Sequence, residues 1–134
     1  MSLPINDNPM TEKQARELNP LVLAYVGDGV HTLYARLQEL GRTSGKADRL
    51  HKAVTSHVKA EAQARSMQAI MDKLTEEESD IFHRARNAHT HSMAKNATVC
   101  DYRLATGFEA LIGYLYLTGQ RDRLEYLLNT SNGN

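Results

Sequence analysis

Apolar residues recur at helical spacing along almost the whole chain, and the polar residues between them mark where helices start and stop. Thr11 is placed to cap a short helix ending near Leu18. Asn19 then caps a longer one, with Pro20 in its first turn and Gly41 as its terminator. Thr43, Ser44 and Gly45 turn the chain into a third helix carrying Ala47, Leu50, Ala53 and Val54. A fourth, from about Val58 to Leu74, carries Ala62, Met67, Ile70, Met71 and Leu74. The run TEEE, Thr75 to Glu78, is a capping box that opens a helix holding Ile81 and Phe82 and fading near Ala88. Residues Asn87 to Cys100 show no stable period and read as the longest loop. Asp101 opens DYRLATGFEALIGYLYLTG, closed by Gly119, and a last helix, QRDRLEYLLNT, follows. Strand alternation, fixed-period repeats and low-complexity tracts are absent from the sequence. The pattern predicts an all-α helical bundle of about seven helices. It forms one domain over 1–134, with 1–10 a loose lead-in and 130–134 a frayed tail.

Composition supports a globular chain: 41% of its 134 residues are hydrophobic and 24% charged. Sixteen basic and sixteen acidic side chains cancel, which argues against a uniformly basic surface but permits a local basic patch. A single cysteine, Cys100, rules out an intrachain disulfide, points to a reducing compartment and reads as a small half-buried apolar residue. With no membrane-length apolar run and no signal-peptide core, the expected location is the cytoplasm. The acids of TEEE complement the positive end of a helix dipole and need no metal. His83, His89 and His91 lack the cysteines or helical spacing of a zinc site and read as surface or RNA-contacting groups.

Two helices depart from this ordinary pattern by placing an acid among apolar residues. Leu23, Tyr25, Val26, Val30 and Leu33 surround Asp28, and Phe108, Leu111, Ile112 and Leu115 surround Glu109. Only His31 offers either acid a basic neighbour at helical spacing. Asp28 also lies between Gly27 and Gly29, although each interior glycine costs a helix about 1 kcal/mol relative to alanine. Gly27 and Gly29 on one helix, with Ala105 and Gly113 on the other, would let two backbones approach until the acids converge. Converging carboxylates repel unless a cation lies between them, and an oxygen-only site with few protein ligands suits Mg2+. The competing reading gives one acid a structural hydrogen bond or salt bridge to an arginine from elsewhere, such as Arg36 or Arg103.

A second cluster lies between His83 and Asn96, where Arg84, Arg86 and Lys95 are interspersed with Asn87, His89 and Asn96. Such groups suit phosphate and 2′-hydroxyl contacts across an A-form minor groove. The same cations also suit an ordinary solvated helix end. Tyr114 and Tyr116, inside an apolar helix, read as core or dimer interface rather than a base-stacking platform.

The segments LAYVGDGVHTLYAR and ATGFEALIGYLYL, with RARNA and AKN between them, resemble the catalytic domain of the ribonuclease III family. The likeness extends from about Asn19 to Leu128 and is greatest to the compact mini-ribonuclease III branch, which lacks a separate double-stranded RNA-binding domain. It implies a ribonuclease III-like bundle that works as a homodimer and cleaves double-stranded RNA with Mg2+, leaving a 5′ phosphate and a 3′ hydroxyl. Asp28 and Glu109 would be the catalytic metal ligands, and His31 and Thr106 would stand behind them. Arg84, Arg86, Asn87, His89, Lys95 and Asn96 would meet the RNA. The implied substrate is the precursor of 23S ribosomal RNA, with room for a ribosomal-protein helper. Larger relatives carry acids where this chain has Leu21, Ala24 and Thr106, so its metal shell is thinner. That thinning keeps a second class open: a non-catalytic helical RNA-binding or protein-interaction module.

Overall fold

The computed structural model describes residues 6–42, 60–88 and 98–132. Six α-helices form among them: α1 (Glu12–Arg16), α2 (Pro20–Arg42), α3 (Ala60–Ile70), α4 (Glu76–Arg86), α5 (Val99–Leu117) and α6 (Arg121–Ser131). Their starts follow local hydrogen bonding. Thr11 and Gln14 form a reciprocal capping box at α1, with bonds of 3.1 and 3.0 Å. Thr75 and Glu78 repeat it at α4, at 3.2 and 2.9 Å. At α2 the Asn19 side chain accepts from the Leu21 amide at 2.9 Å.

Helix α5 is the axis of the bundle. Between Leu104 and Leu115 it is apolar nearly all round and buried, as expected of a helix enclosed by others. It packs against α2, α3, α4 and α6, and its surroundings include Leu23, Met67, Ile70, Phe82 and Leu128, all essentially without exposure. Each such side chain contributes about 1.5–3 kcal/mol of burial. Tyr114 belongs to this core and Tyr116 packs at its margin, as expected.

Glycines set the two closest approaches to α5. Gly27 of α2 lies so near that a methyl there would overlap the Glu109 carbonyl and stand 2.9 Å from the Gly113 amide nitrogen. Gly113 is the reciprocal half, since its missing methyl would overlap the Leu23 carbonyl. On the other side, the Phe82 ring of α4 sits against Gly107, within 2.5 Å of where a Cβ would lie. Gly29 has no such role within the chain: a Cβ there meets nothing within 4 Å. The expectation that both glycines beside Asp28 seat the second helix therefore holds for Gly27 alone.

Several boundaries shift. Helix α2 continues through Gly41 to Arg42, and the third helix expected after it lies outside the described residues. The α-helical part of α3 stops at Ile70, after which Met71–Lys73 tighten into a 3₁₀ turn that leaves Leu74 extended. Helix α5 starts at Val99, before Asp101, because the Thr98 side chain caps it by accepting from the Asp101 amide at 3.0 Å. Gly119 closes it as expected, at φ 71°, a conformation glycine adopts without strain. Helix α6 extends to Ser131, two residues into the expected frayed tail. The lead-in is tied down from Asn6 onward: its side-chain amide donates to the carbonyls of Tyr116 and Leu117, and the Met10 amide donates to Leu117 at 2.7 Å. Cys100 is exposed, because it falls in the first turn of α5, ahead of the helix's buried portion.

The most deeply buried ion pair described joins Glu78 to Arg123, whose guanidinium donates to both carboxylate oxygens at 2.8 Å and to the Lys73 carbonyl. Burial pushes the Glu78 carboxyl up, but the Arg123 and Thr75 bonds and the guanidinium charge outweigh it and hold the group below its usual range. Glu78 thus locks α4 to α6, and the acidic run has the structural role that its spacing predicts.

Candidate active site

The glycine-mediated crossing of α2 and α5 brings Asp28 and Glu109 together. Gly27 is in contact with the backbone of Glu109 itself and Asp28 is the next residue, so both acids stand at the crossing. Their side chains face one another, with Asp28 exposed and Glu109 half-buried. They line an open cleft of about 440 Å³, together with Leu21, Ala24, Tyr25, Ala60, Gln63, Tyr102, Ala105 and Thr106. Leu21, Ala24 and Thr106, where the family resemblance implies acids in larger relatives, all line this cleft.

Two carboxyl groups this close favour the protonated form of the more buried one. Burial pushes the Glu109 carboxyl up to about 9, and the hydrogen bond and negative charge of Asp28 add to the rise, while a hydrogen bond from Gln63 partly offsets it. Neither acid is ion-paired among the described residues, and neither Arg36 nor Arg103 pairs with them. A structural salt bridge from one acid to an arginine is therefore not found among the described residues. No cluster of three or more His, Cys, Asp or Glu side chains that could enclose a metal occurs among the described residues. The donor set is an acid pair open to solvent, which fits a hard cation that keeps several of its waters and takes the place of that proton.

The surrounding residues divide by what they touch. The Thr106 hydroxyl donates to the Tyr102 carbonyl one turn back, at 3.0 Å, leaving its oxygen to accept from water in the cleft. His31 is 3% exposed, its Nδ1 lying 3.1 Å from the Gln63 amide nitrogen and its ring edge-on to Phe108. Gln63 was not singled out by the sequence. Its signal is a polar residue occupying a buried register of α3, in step with Met67 and Ile70. Tyr25 and Tyr102, also unforeseen as site residues, form the aromatic rim.

The basic segment is only partly described, since His89, Lys95 and Asn96 lie outside the described residues. Arg84, expected at the RNA, is held against the end of α1, where its Nη1 donates to the Arg16 carbonyl at 3.0 Å. It satisfies a carbonyl at the end of a short helix while the side chain stays partly exposed. Arg86 lies over the Phe82 ring at 5.7 Å, and its Nε donates to the Asn87 side chain at 3.3 Å. His83 places Nδ1 2.7 Å from the Ser79 carbonyl, so it donates there and is not set up to bind zinc through that atom.

Residues 21–120, which contain both acidic helices and the whole cleft, match the Ribonuclease III domain family. The chain belongs to the ribonuclease III family. Its similarity is high to relatives named mini-ribonuclease 3. The protein of Enterococcus faecalis is 52% identical over 118 residues, covering 85% of this chain and 88% of the relative. That of a Thermoanaerobacter species is 44% identical over 126 residues, covering 94% and 89%. A crystal structure of a Fusobacterium nucleatum protein superposes with a TM-score of 0.81 at 29% identity, spanning 92% of this chain and 98% of that one. These likenesses bear out the all-α ribonuclease III fold and place the chain in the compact mini-ribonuclease branch. They make it an endoribonuclease and set aside the non-catalytic module. No described helix is long and apolar enough to cross a membrane.

Proposed function

We propose that this ribonuclease III-family protein is a Mg2+-dependent endoribonuclease that cuts double-stranded RNA, maturing the ends of the 23S ribosomal RNA precursor in the cytoplasm. The observation that carries the reading is that Asp28 and Glu109 line one open cleft without a cationic partner among the described residues. Both carboxylates would hold the metal, and a divalent ion in such a site activates water and stabilises charge developing at a phosphodiester. Hydrolysis adds the water oxygen to phosphorus and breaks the bond to the 3′ oxygen, leaving a 5′ phosphate and a 3′ hydroxyl. Asp28 and Glu109 supply fixed negative charge, and Thr106 offers an acceptor for a water in the cleft. Arg86 and Asn87, with His89, Lys95 and Asn96, would contact phosphate and ribose, and Arg84 secures the end of the helix that presents them. A ribosomal protein that presents the precursor is compatible with this small RNA-contacting surface.

The test is cleavage of an end-labelled RNA duplex by the purified protein with Mg2+ and with chelator. Cutting that chelator abolishes and added Mg2+ restores is expected; cutting unaffected by chelator would remove the metal from the mechanism.

The working unit in this proposal is a homodimer formed through the outer face of α2. Val22, Tyr25, Leu33 and Leu40 are exposed along that face, and Tyr25 is 79% exposed. Gly29 lies on the same face with nothing of its own chain near its missing methyl, so it leaves room for a second backbone. A twofold axis there would set two acid pairs to address the two strands of a duplex. Leu33→Glu is expected to convert the sedimenting species from dimer to monomer with the helix content unchanged. An unaltered dimer would move the interface to another face.

A further inference from the structure

Gln63 is 3% exposed, yet it lines the cleft between Asp28 and Glu109. A buried primary amide carries two N–H donors and a carbonyl acceptor, and burial without partners would be costly. Its nitrogen lies 3.1 Å from Nδ1 of His31, and its side chain lines the cleft beside Glu109, whose carboxyl it acts to hold down. With the amide nitrogen facing the ring, His31 Nδ1 is the acceptor and its ring proton belongs on Nε2. The ring is held in turn by its edge-on contact with Phe108, at 5.1 Å and 88°, and Phe108 precedes Glu109 on α5. Three helices thus meet in one polar chain at the floor of the cleft: His31 from α2, Gln63 from α3 and Glu109 from α5.

We infer that Gln63 is the positioning residue of the cleavage site: held by His31, its amide nitrogen donates to Glu109 and aims that carboxylate at the position shared with Asp28. The inference rests on Glu109 being a metal ligand. An amide suits the task because it orients the carboxylate without cancelling its charge. A lysine or arginine in its place would compete with the cation that the acid pair is to hold. Partners behind metal ligands typically contribute about 10- to 100-fold in metal affinity or activity.

The full-length protein carrying Gln63→Met tests this, since methionine conserves volume and removes both donors. Duplex cleavage is followed against Mg2+ concentration, Mn2+ binding by water-proton relaxation, and folding by thermal melting. The half-saturating metal concentration is expected to rise about 10- to 100-fold, with much of the maximal rate restored at high Mg2+. A purely structural glutamine would lower the melting temperature and leave the metal midpoint where it is. The wild-type protein supplies a readout that does not depend on the variant folding. In nitrogen-edited spectra the Gln63 side-chain amide protons are expected to shift on Mg2+ titration, with the midpoint found for cleavage. An unchanged metal midpoint in Gln63→Met, or amide protons indifferent to Mg2+, overturns the inference. Glu109→Gln run alongside separates this from failure of the underlying reading. If Glu109→Gln keeps wild-type metal binding and cleavage, the metal role of Glu109 falls and the inference falls with it. If Glu109→Gln is inactive while Gln63→Met is normal, only the role of Gln63 is lost.

Discussion

Gly27→Ala is expected to destabilise the protein by about 4 kcal/mol or more, a large part of the roughly 5–15 kcal/mol that holds a domain of this size together. In an open helix the same change would be favourable by about 1 kcal/mol, because alanine is the better helix former. Here the new methyl would coincide with the Glu109 carbonyl and stand 2.6 Å from its carbon and 2.9 Å from the Gly113 nitrogen. All of these are backbone atoms, so no rotamer change relieves the overlap, and α2 and α5 must separate or shear. Overpacking of ordinary cores costs about 1–3 kcal/mol when side chains can adjust, and this site lacks that freedom. Because the contact lies beside both acids, whatever fold survives would also have Asp28 and Glu109 displaced. Urea unfolding and duplex cleavage should therefore fail together. Gly29→Ala is the control, since its methyl meets nothing of its own chain and should leave the subunit fold intact. A Gly27→Ala protein as stable and active as wild type would show that the helices do not cross as closely as described.

That crossing also marks how far the sequence could be read. Helical periodicity and caps are local properties, and the starts at Thr11, Asn19 and Thr75 and the stop at Gly119 follow from a few adjacent residues. The start of α5 is legible too, in Thr98 standing three residues before Asp101 as a cap. Tertiary choices were not. Nothing local separates Gly27, which seats α5, from Gly29, which faces outward, because the two differ only by their angle around α2. The ties from Asn6 to Tyr116 and Leu117 join opposite ends of the chain, and no pattern near Asn6 announces them. The two acids stood out because a carboxylate among apolar residues demands a reason, although the structure half-buries only Glu109 and leaves Asp28 exposed beside an exposed Tyr25. Gln63 did not, because an isolated glutamine in an amphipathic helix is ordinary until its partners from two other helices are known.

Glu109→Gln is expected to lower cleavage by at least about 10³-fold, the scale of losing a transition-state interaction of about 4 kcal/mol, while making the metal-free protein more stable. The two effects have one cause. The carboxyl titrates near 4.5 in the unfolded chain, but burial and the adjacent Asp28 keep its proton on until about 9 in the fold. Between those values the folded state binds a proton that the unfolded state has released, so stability falls as pH rises and levels off above about 9. Glutamine has no such proton to lose. In chelator, the wild-type melting temperature should decline from pH 5 to pH 9, whereas the variant should lack this component and melt a few degrees higher at pH 8, as about 1–2 kcal/mol would produce. A divalent cation reverses the order, because it replaces that proton and favours the ionised pair. Adding Mg2+ to wild type at pH 7 should therefore release protons and raise the melting temperature, and Glu109→Gln should do neither. Asp28→Asn should match it in lost cleavage. A Glu109→Gln protein that cuts RNA normally would separate the acid pair from catalysis, and one that melts below wild type in chelator would show that Glu109 stabilises the fold without a cation.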